Sequence, residues 1–165
     1  MNPDEYLLRF EVCDLQLGLR AGAVQEIVAC PELALVPESP DFVSGVLNYE
    51  GLAVPVVCAA RLWGLSIREL DLYSPLLILR GNPPPFALQV HRAHALLPPE
   101  SWRRVEQEHP AFAPCVEALV ATGESGLLTL LCEVKLLQDY EQAALRALQE
   151  RAQSRLARVE AARDR

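Results

Sequence analysis

Residues 42–64 read FVSGVLNYEGLAVPVVCAARLWG. Gly45 and Gly51 bracket the short run Val46-Leu47-Asn48-Tyr49, and a second apolar run with Pro55 inside it follows at once. This spacing fits two small antiparallel strands, with Tyr49-Glu50-Gly51 as the tight turn between them. Proline has no N–H to give to a ladder, so Pro55 belongs at an edge, an end or a bulge. Residues 59–63 then suit a single helical turn, closed by Gly64 as its C-terminal cap. The stretch carries no recognisable chemistry; its information is architectural.

Outward from it, the chain is a series of short apolar runs punctuated by Gly and Pro. Residues 6–12 alternate partly, and Leu15, Leu17 and Leu19 resume at period two, so a hairpin joined through Cys13-Asp14 is expected. Residues 23–29, AVQEIVA, fit a helical turn or a strand equally well. Pro31, Pro37 and Pro40 restrict the next segment to loop or extended chain, and Asp41 is placed to cap a short turn. Residues 66–72 read as a polar loop. Residues 74–80 and 86–90 predict a strand pair turning through Gly81-Asn82 and Pro83–Pro85, and 93–97 a third strand. Residues 98–114 read as an exposed loop anchored by Trp102 and Phe112. Residues 116–132, turning between Gly123 and Gly126, form a second clear hairpin.

The hairpins at 46–57 and 116–132 are each followed by a helix start, at Ala59 and Glu133, an internal echo that suits two similar β subdomains. Many short strands argue for small barrels or a sandwich. A doubly wound parallel sheet is disfavoured, because no long amphipathic helix follows a strand before the end of the chain.

That end changes character at Glu133. Residues 136–165 contain no proline or glycine, and strong helix formers dominate. At 100° per residue, Leu137, Ala144, Leu148, Ala152 and Val159 share one side, flanked by Leu145 and Leu156. Gln142, Arg146, Gln149, Gln153 and Glu160 lie opposite, while Arg151 and Arg155 stand at the apolar margin. One continuous helix from Leu136 to about Arg163 is predicted, docked through Leu137 and Tyr140 and projecting at its far end. There Leu148, Leu156 and Val159 would meet a partner, another copy or, folded back, the body. The stripe drifts from a strict heptad, so a long coiled coil is not clearly specified.

Charge narrows the partners. The chain of 165 residues has a net charge of -7; residues 1–132 carry -8 and residues 133–165 carry +1. Without a basic stripe, nucleic acid and anionic membranes are disfavoured. The longest apolar runs fall far short of the roughly 20 residues that cross a bilayer. The N-terminal MNPDEYLLRF reads as a first strand rather than an export signal, so direct membrane insertion is not expected and a cytoplasmic location is.

Catalytic candidates are scattered. Cysteines 13, 30, 58, 115 and 132 show no CxxC spacing, and Cys58 and Cys132 sit in apolar runs as small core residues. His91 and His94 are three apart in a strand and turn, where such residues do not share a face. No serine has a Gly-x-Ser-x-Gly setting, and no nucleotide fingerprint, zinc motif or paired-carboxylate motif occurs. No enzyme, cofactor or metal site is expected.

Together, several ordered segments resemble the CheW-like adaptor domain. Its pattern around residues 40–58 reads roughly as proline, aspartate or an aromatic, valine, glycine, two aliphatics, Asn-Leu-Arg-Gly, then Ile-Pro-Val-Val-Asp-Leu. Val24-Gln25-Glu26-Ile27 is similar to a family segment of valine, a variable residue, Glu-Ile, and LLTLLCEVKLL at 127–137 resembles the closing strand and helix start. The resemblance covers most of residues 5–140. It implies two intertwined five-stranded SH3-like β-barrel subdomains in residues 1–135, hence a mainly β fold, with a long C-terminal α-helix as an extension over 136–165.

The resemblance also implies a non-catalytic adaptor. Its partners would be the regulatory domain of a CheA-type histidine kinase and the cytoplasmic tip of a methyl-accepting chemoreceptor, which binds a groove associated with the subdomain junction. Recruitment to membrane-associated receptor arrays follows. The candidate protein-interaction residues are Val24, Glu26, Ile27, Leu35, Phe42, Val43, Asn48, Glu50, Gly51, Leu148, Leu156 and Val159. Several of the apolar ones equally suit core filling.

Three departures mark a divergent member. Glu50 stands where an arginine that pairs with the glutamate at Glu26 is common, so two carboxylates are expected to approach. Cys58 and Cys132 replace acidic residues, and Val90-His91-Arg92-Ala93 replaces Val-Asp-x-Val. The alternative is a stand-alone CheW-like module that binds another regulator through its C-terminal helix.

Overall fold

The computed structural model describes residues 2–66, 74–80, 85–105, 114–123 and 126–164. The expected anchor Phe112, most of the polar loop at 66–72 and the turn residues 81–84 and 124–125 lie outside the described residues. The chain begins with a 3-10 turn, Pro3–Glu5, and the hairpin β1 (Leu7–Val12) and β2 (Leu15–Arg20), joined by Cys13-Asp14 as expected. Cys13 takes a φ of 53°. Its N–H donates to His91 Nδ1 at 2.9 Å, so the histidine that replaces an acidic residue of the family pattern anchors this turn. His94 faces elsewhere, with Nε2 3.3 Å from Glu11 Oε1.

After a 3-10 turn at Ala21–Ala23, the ambiguous AVQEIVA segment is a strand, β3 (Val24–Ala29). Next come β4 (Val43–Tyr49) and β5 (Leu52–Cys58), the expected central hairpin, then α1 (Ala59–Leu62). Leu65 N–H bonds Ala60 C=O at 2.8 Å and Gly64 N–H bonds Arg61 C=O at 3.1 Å, the two reciprocal bonds of a Schellman cap. Strands β6 (Pro75–Leu79), β7 (Ala87–Gln89) and β8 (Arg92–Leu97) follow, the first two pairing antiparallel. A 3-10 turn at Pro99–Ser101 leads to β9 (Trp102–Val105), and the hairpin β10 (Val116–Thr122) and β11 (Gly126–Leu131) completes the β elements.

Residues 102–105, predicted as loop, are thus a strand paired with β10. The Trp102 indole N–H donates to Glu5 C=O at 3.1 Å, and Arg104 meets Glu117 of β10 in an ion pair. These long-range partners outweigh the local proline and charge signal.

The strands form two mixed sheets. One has six strands in the order β8-β1-β2-β11-β10-β9, the other five in the order β3-β6-β7-β5-β4. The first sheet is built from both ends of the β region and the second from its middle, so the chain crosses between them twice. Each sheet contains one parallel pairing, β11 with β2 and β5 with β7. One sheet thus has six strands rather than five, because β9 adds to its edge. No ladder closes into a barrel among the described residues. In the five-stranded sheet, a Tyr49–Glu26 side-chain bond links the two edge strands, and the isolated bridge Ala34–Val46 ties the segment after β3 to β4.

Pro55 lies on an interior strand, yet it costs no ladder bond. Val46, opposite it, sends both its N–H and its C=O to Ala34, so the pair is a non-hydrogen-bonded one. The β5–β7 ladder starts only at Val56, one residue later. The proline therefore sits at a ladder end.

Three clusters fill the interior. Leu7, Val120, Leu128 and Leu130 belong to the six-stranded sheet, and Leu47, Val54, Val56, Leu76, Ile78 and Ala87 to the five-stranded one. Between them lies a shared core in which Phe10 and Leu19 meet Val57, Leu77 and Leu88. Leu136, Leu137, Leu145, Leu148 and Ala152 complete that core.

The C-terminal helix departs from expectation at three points. A 3-10 turn spans Glu133–Lys135, and α2 runs Asp139–Arg163 rather than from Leu136. Gln138, extended at ψ 162°, breaks the run as N-cap, and Glu141 Oε1 accepts from its N–H at 2.7 Å in a capping box. Tyr140 is 67% exposed and docks nothing, whereas Leu145 and Leu148 are buried. Third, the buried face is rotated toward the glutamines: Gln153, assigned to the polar side, grips the central hairpin. Its Oε1 accepts from Ala53 N–H at 2.8 Å and its Nε2 donates to Gly51 C=O at 3.0 Å.

Candidate protein-docking surface

The central hairpin, the segment after β3 and the far half of α2 build a recessed, largely apolar surface beside the five-stranded sheet. The hairpin turn is fixed first. Glu50 and Gly51 take φ of 52° and 86°, the positive pair that a two-residue turn of this hand demands. Asn48 Oδ1 accepts from Gly51 N–H at 3.0 Å and locks it.

Residues 34–36 are then held beside β4 by the two bonds of the Ala34–Val46 bridge, 3.0 and 2.9 Å long. Gly45 makes that approach possible, since a Cβ there would stand 2.8 Å from Leu33 Cβ and 2.9 Å from Ala34 O. Helix α2, pinned through Gln153, closes the other side. A groove of about 210 Å³ remains, with Leu35, Val46, Asn48, Leu156 and Val159 in its walls and Arg155 at its rim.

Four of the sequence candidates, Leu35, Asn48, Leu156 and Val159, therefore converge on one groove. Leu35 is 84% exposed and Val159 50%, so both stand open to solvent beside this hollow. Val43 and Leu148 are buried within the shared core, so they support the surface from beneath rather than form it. Phe42 is half-buried against the same core.

A second group lies on β3, an edge strand with most of its side chains exposed. Val24 is half-buried, Glu26 is exposed and Ile27 is 44% exposed. The Tyr49 hydroxyl donates to Glu26 Oε2. This carboxylate raises the tyrosine above its ordinary pKa; slight burial and the charges of Glu26 and Glu50 add to the effect. Glu50 therefore stands near the pair, but the donor that meets Glu26 is its neighbour Tyr49. Where the family pattern has an arginine at position 50, this chain satisfies the glutamate with a phenol.

Sequence reasoning missed Tyr49, Gln153 and Ala34. Tyr49 was readable only as a turn residue, Gln153 only as a polar helix position, and Ala34 only as loop. Arg155 left a signal, its place at the margin of the helical stripe. Among the described residues no group of three or more His, Cys, Asp or Glu is arranged to hold a metal ion. The five cysteines are free thiols, with burial pushing Cys30 and Cys115 above their ordinary pKa.

Comparison with known proteins agrees with this architecture. Chemotaxis protein CheW of Thermotoga maritima is 31% identical over 68 residues, which are 41% of this chain and 45% of that protein. The matched stretch thus spans less than half the length of that curated relative. The crystal structure of scaffolding protein TtCheW from Thermoanaerobacter tengcongensis superposes with a TM-score of 0.66, at 21% identity, over 79% of this chain and 90% of that one. At this identity the likeness establishes a shared fold. The model of the CheW-like domain matches residues 6–141, most of the sequence, and the chain belongs to the CheW-like domain family.

Proposed function

We propose that this protein is a non-enzymatic adaptor of a chemosensory pathway, coupling the cytoplasmic tip of a methyl-accepting chemoreceptor to the regulatory domain of a CheA-type histidine kinase. The family match over residues 6–141 carries the reading. The surface supports it: the most exposed aliphatic candidates, Leu35, Ile27 and Val159, stand on the edge strand and the groove. Such residues act by excluding water from a partner surface, not by moving protons.

In this reading the two sheets serve as the two subdomains of the family, and the bridged edges of the five-stranded sheet stand in for barrel closure. The chain divides functionally into a CheW-like body, 1–135, and a helical extension, 136–165. Val24, Glu26, Ile27, Glu50 and Gly51 form one contact region, and Leu35, Asn48, Leu156 and Val159 another. The protein works in the cytoplasm and joins membrane-associated arrays through its receptor. No helix among the described residues is long and apolar enough to cross a membrane.

Calorimetric titration with the kinase regulatory domain and, separately, with a receptor-tip fragment tests the reading. Saturable binding of both is expected, weakened at least tenfold for one of them by Ile27→Glu. Absence of binding to both would sink the adaptor role. Binding of neither, with capture of a different regulator that depends on α2, would establish the alternative of a stand-alone module; that alternative is favoured by the helix forming one wall of the groove.

A further inference from the structure

The groove beside α2 has a composition that specifies what enters it. Its volume, about 210 Å³, is below the roughly 300–1,000 Å³ of small-molecule sites, so it fits one or two side chains rather than a cofactor. Strand addition is blocked at Val46, because its outward N–H and C=O are already used by Ala34. A hollow this small, blocked to backbone pairing at Val46, suits side chains projecting from a preformed backbone, which an amphipathic helix supplies.

Charge fixes the rest. Arg155 stands at the rim and Arg158 follows within one turn on the same flank of α2. Arg20 and Arg104 share Glu117, and Arg151 lies 3.9 Å from Glu38. Arg155 and Arg158, in contrast, have no ion-pair partner among the described residues. Arg155 lines the groove, and Arg158 lies on the adjoining face of α2 with Glu150, Arg151 and Ser154. With Glu38 beside Arg151, that face holds three arginines against two glutamates, a net cationic edge. A second copy docking by the same face would bring these arginines against each other, which like-charge repulsion disfavours.

We propose that the groove receives an amphipathic helix of a partner protein, with one or two large aliphatic anchors between Leu35 and Val159 and carboxylates along the edge facing Arg155 and Arg158. The proposal deepens the adaptor reading by adding a docking surface distinct from the β3 region, and rests on that reading for the partner's existence.

Two labelled 18-residue helical peptides test it. Both carry leucines at i, i+3, i+4 and i+7; one has glutamates on its flanks, the other lysines. Fluorescence anisotropy on the full chain at 50 mM NaCl is expected to give at least tenfold tighter binding of the glutamate peptide. The difference should collapse at 500 mM NaCl, where screening is strong. The double variant R155E/R158E should reverse the preference, and Val159→Asp should weaken both peptides at least tenfold with an unchanged melting temperature. Leu35→Asp, at a position still more exposed, replaces Val159→Asp if that variant does not fold.

Equal binding of the two peptides, or a preference unaffected by R155E/R158E, would overturn the proposal. So would a concentration-dependent dimer, seen by sedimentation, that blocks the peptide. Kinase and receptor titrations are run on the same variants. A failed peptide assay with intact kinase and receptor binding rejects the groove occupant alone; normal peptide binding with neither partner bound rejects the adaptor reading alone.

Discussion

The two halves of α2 have similar composition but different roles. In the near half, Leu145 and Leu148 are fully buried in the shared core, each worth about 1.5–3 kcal/mol by area removed from water. Beyond Ala152, the last helix residue in the core, Leu156 is only partly covered and Val159 is half exposed, and Gln153 adds a polar attachment to the hairpin backbone. One helix thus serves as core at one end and as a surface wall at the other. Apolar periodicity reports that a helix has a face; what the face meets depends on the rest of the fold.

The largest expected effect comes from removing both halves. Truncation after Tyr140 strips Leu145, Leu148 and Ala152 from the shared core. Against a usual total of about 5–15 kcal/mol, that loss should abolish or severely weaken cooperative unfolding in urea. A truncated chain with a near-native midpoint would show that the helix is dispensable to the core and that the two halves do not differ.

Leu148→Ala isolates the near half and should cost about 2–5 kcal/mol, lowering the urea midpoint with little change in slope. The same change at Leu156, already partly solvated, should cost less than half as much. Equal costs would erase the distinction between core and wall.

Gln153→Ala removes two hydrogen bonds that hold the far half to the hairpin, at about 1–2 kcal/mol together. Amide exchange at Ala53 should accelerate, whereas exchange in the near half of α2 should not. Acceleration along the whole helix would mean that the halves open as a unit.

Glu50→Arg tests the far edge of the same hairpin. It introduces a cation near Glu26 and should stabilise by about 0.2–1 kcal/mol at neutral pH and low salt. An unchanged melting temperature would show that position 50 points away from the Glu26–Tyr49 pair.

The smallest effect is alkaline. The raised pKa of Tyr49 means that its contribution is fully present below the ordinary tyrosine value near 10 and is lost as pH rises through the folded value. Tyr49→Phe should therefore flatten the stability profile only at high pH and remove a tyrosinate that appears above the ordinary tyrosine range at 295 nm. Tyrosinate formation unaltered by the substitution would remove Tyr49 from the pair.

Much of the fold was legible because its signals are local. Alternation at 15–19, the turn residues Glu50-Gly51 and the cap at Gly64 act within a few residues, where sterics and hydrogen bonding decide. The site was legible in part. Leu35, Asn48, Leu156 and Val159 were named separately, but nothing local says that they share a groove, because Ala34, in no strand of its own, meets β4 only through an isolated bridge. Trp102 was read as a loop anchor because its strand exists only by pairing with β10.

By itself, then, the sequence determined the short strands and their hairpins, a helical C-terminus and, through ordered segments at 24–27, 40–58 and 127–137, the resemblance to a family. Tertiary structure alone decided that β1 and β2 join β10 and β11 in a six-stranded sheet, and that α2 turns Gln153 toward the hairpin. It alone decided that Tyr49 answers Glu26 across the sheet. Backbone propensity is a property of a few neighbouring residues. Sheet membership and helix orientation follow instead from burying whole apolar faces while leaving no buried N–H or C=O unpaired, and that condition can be met only by the complete chain.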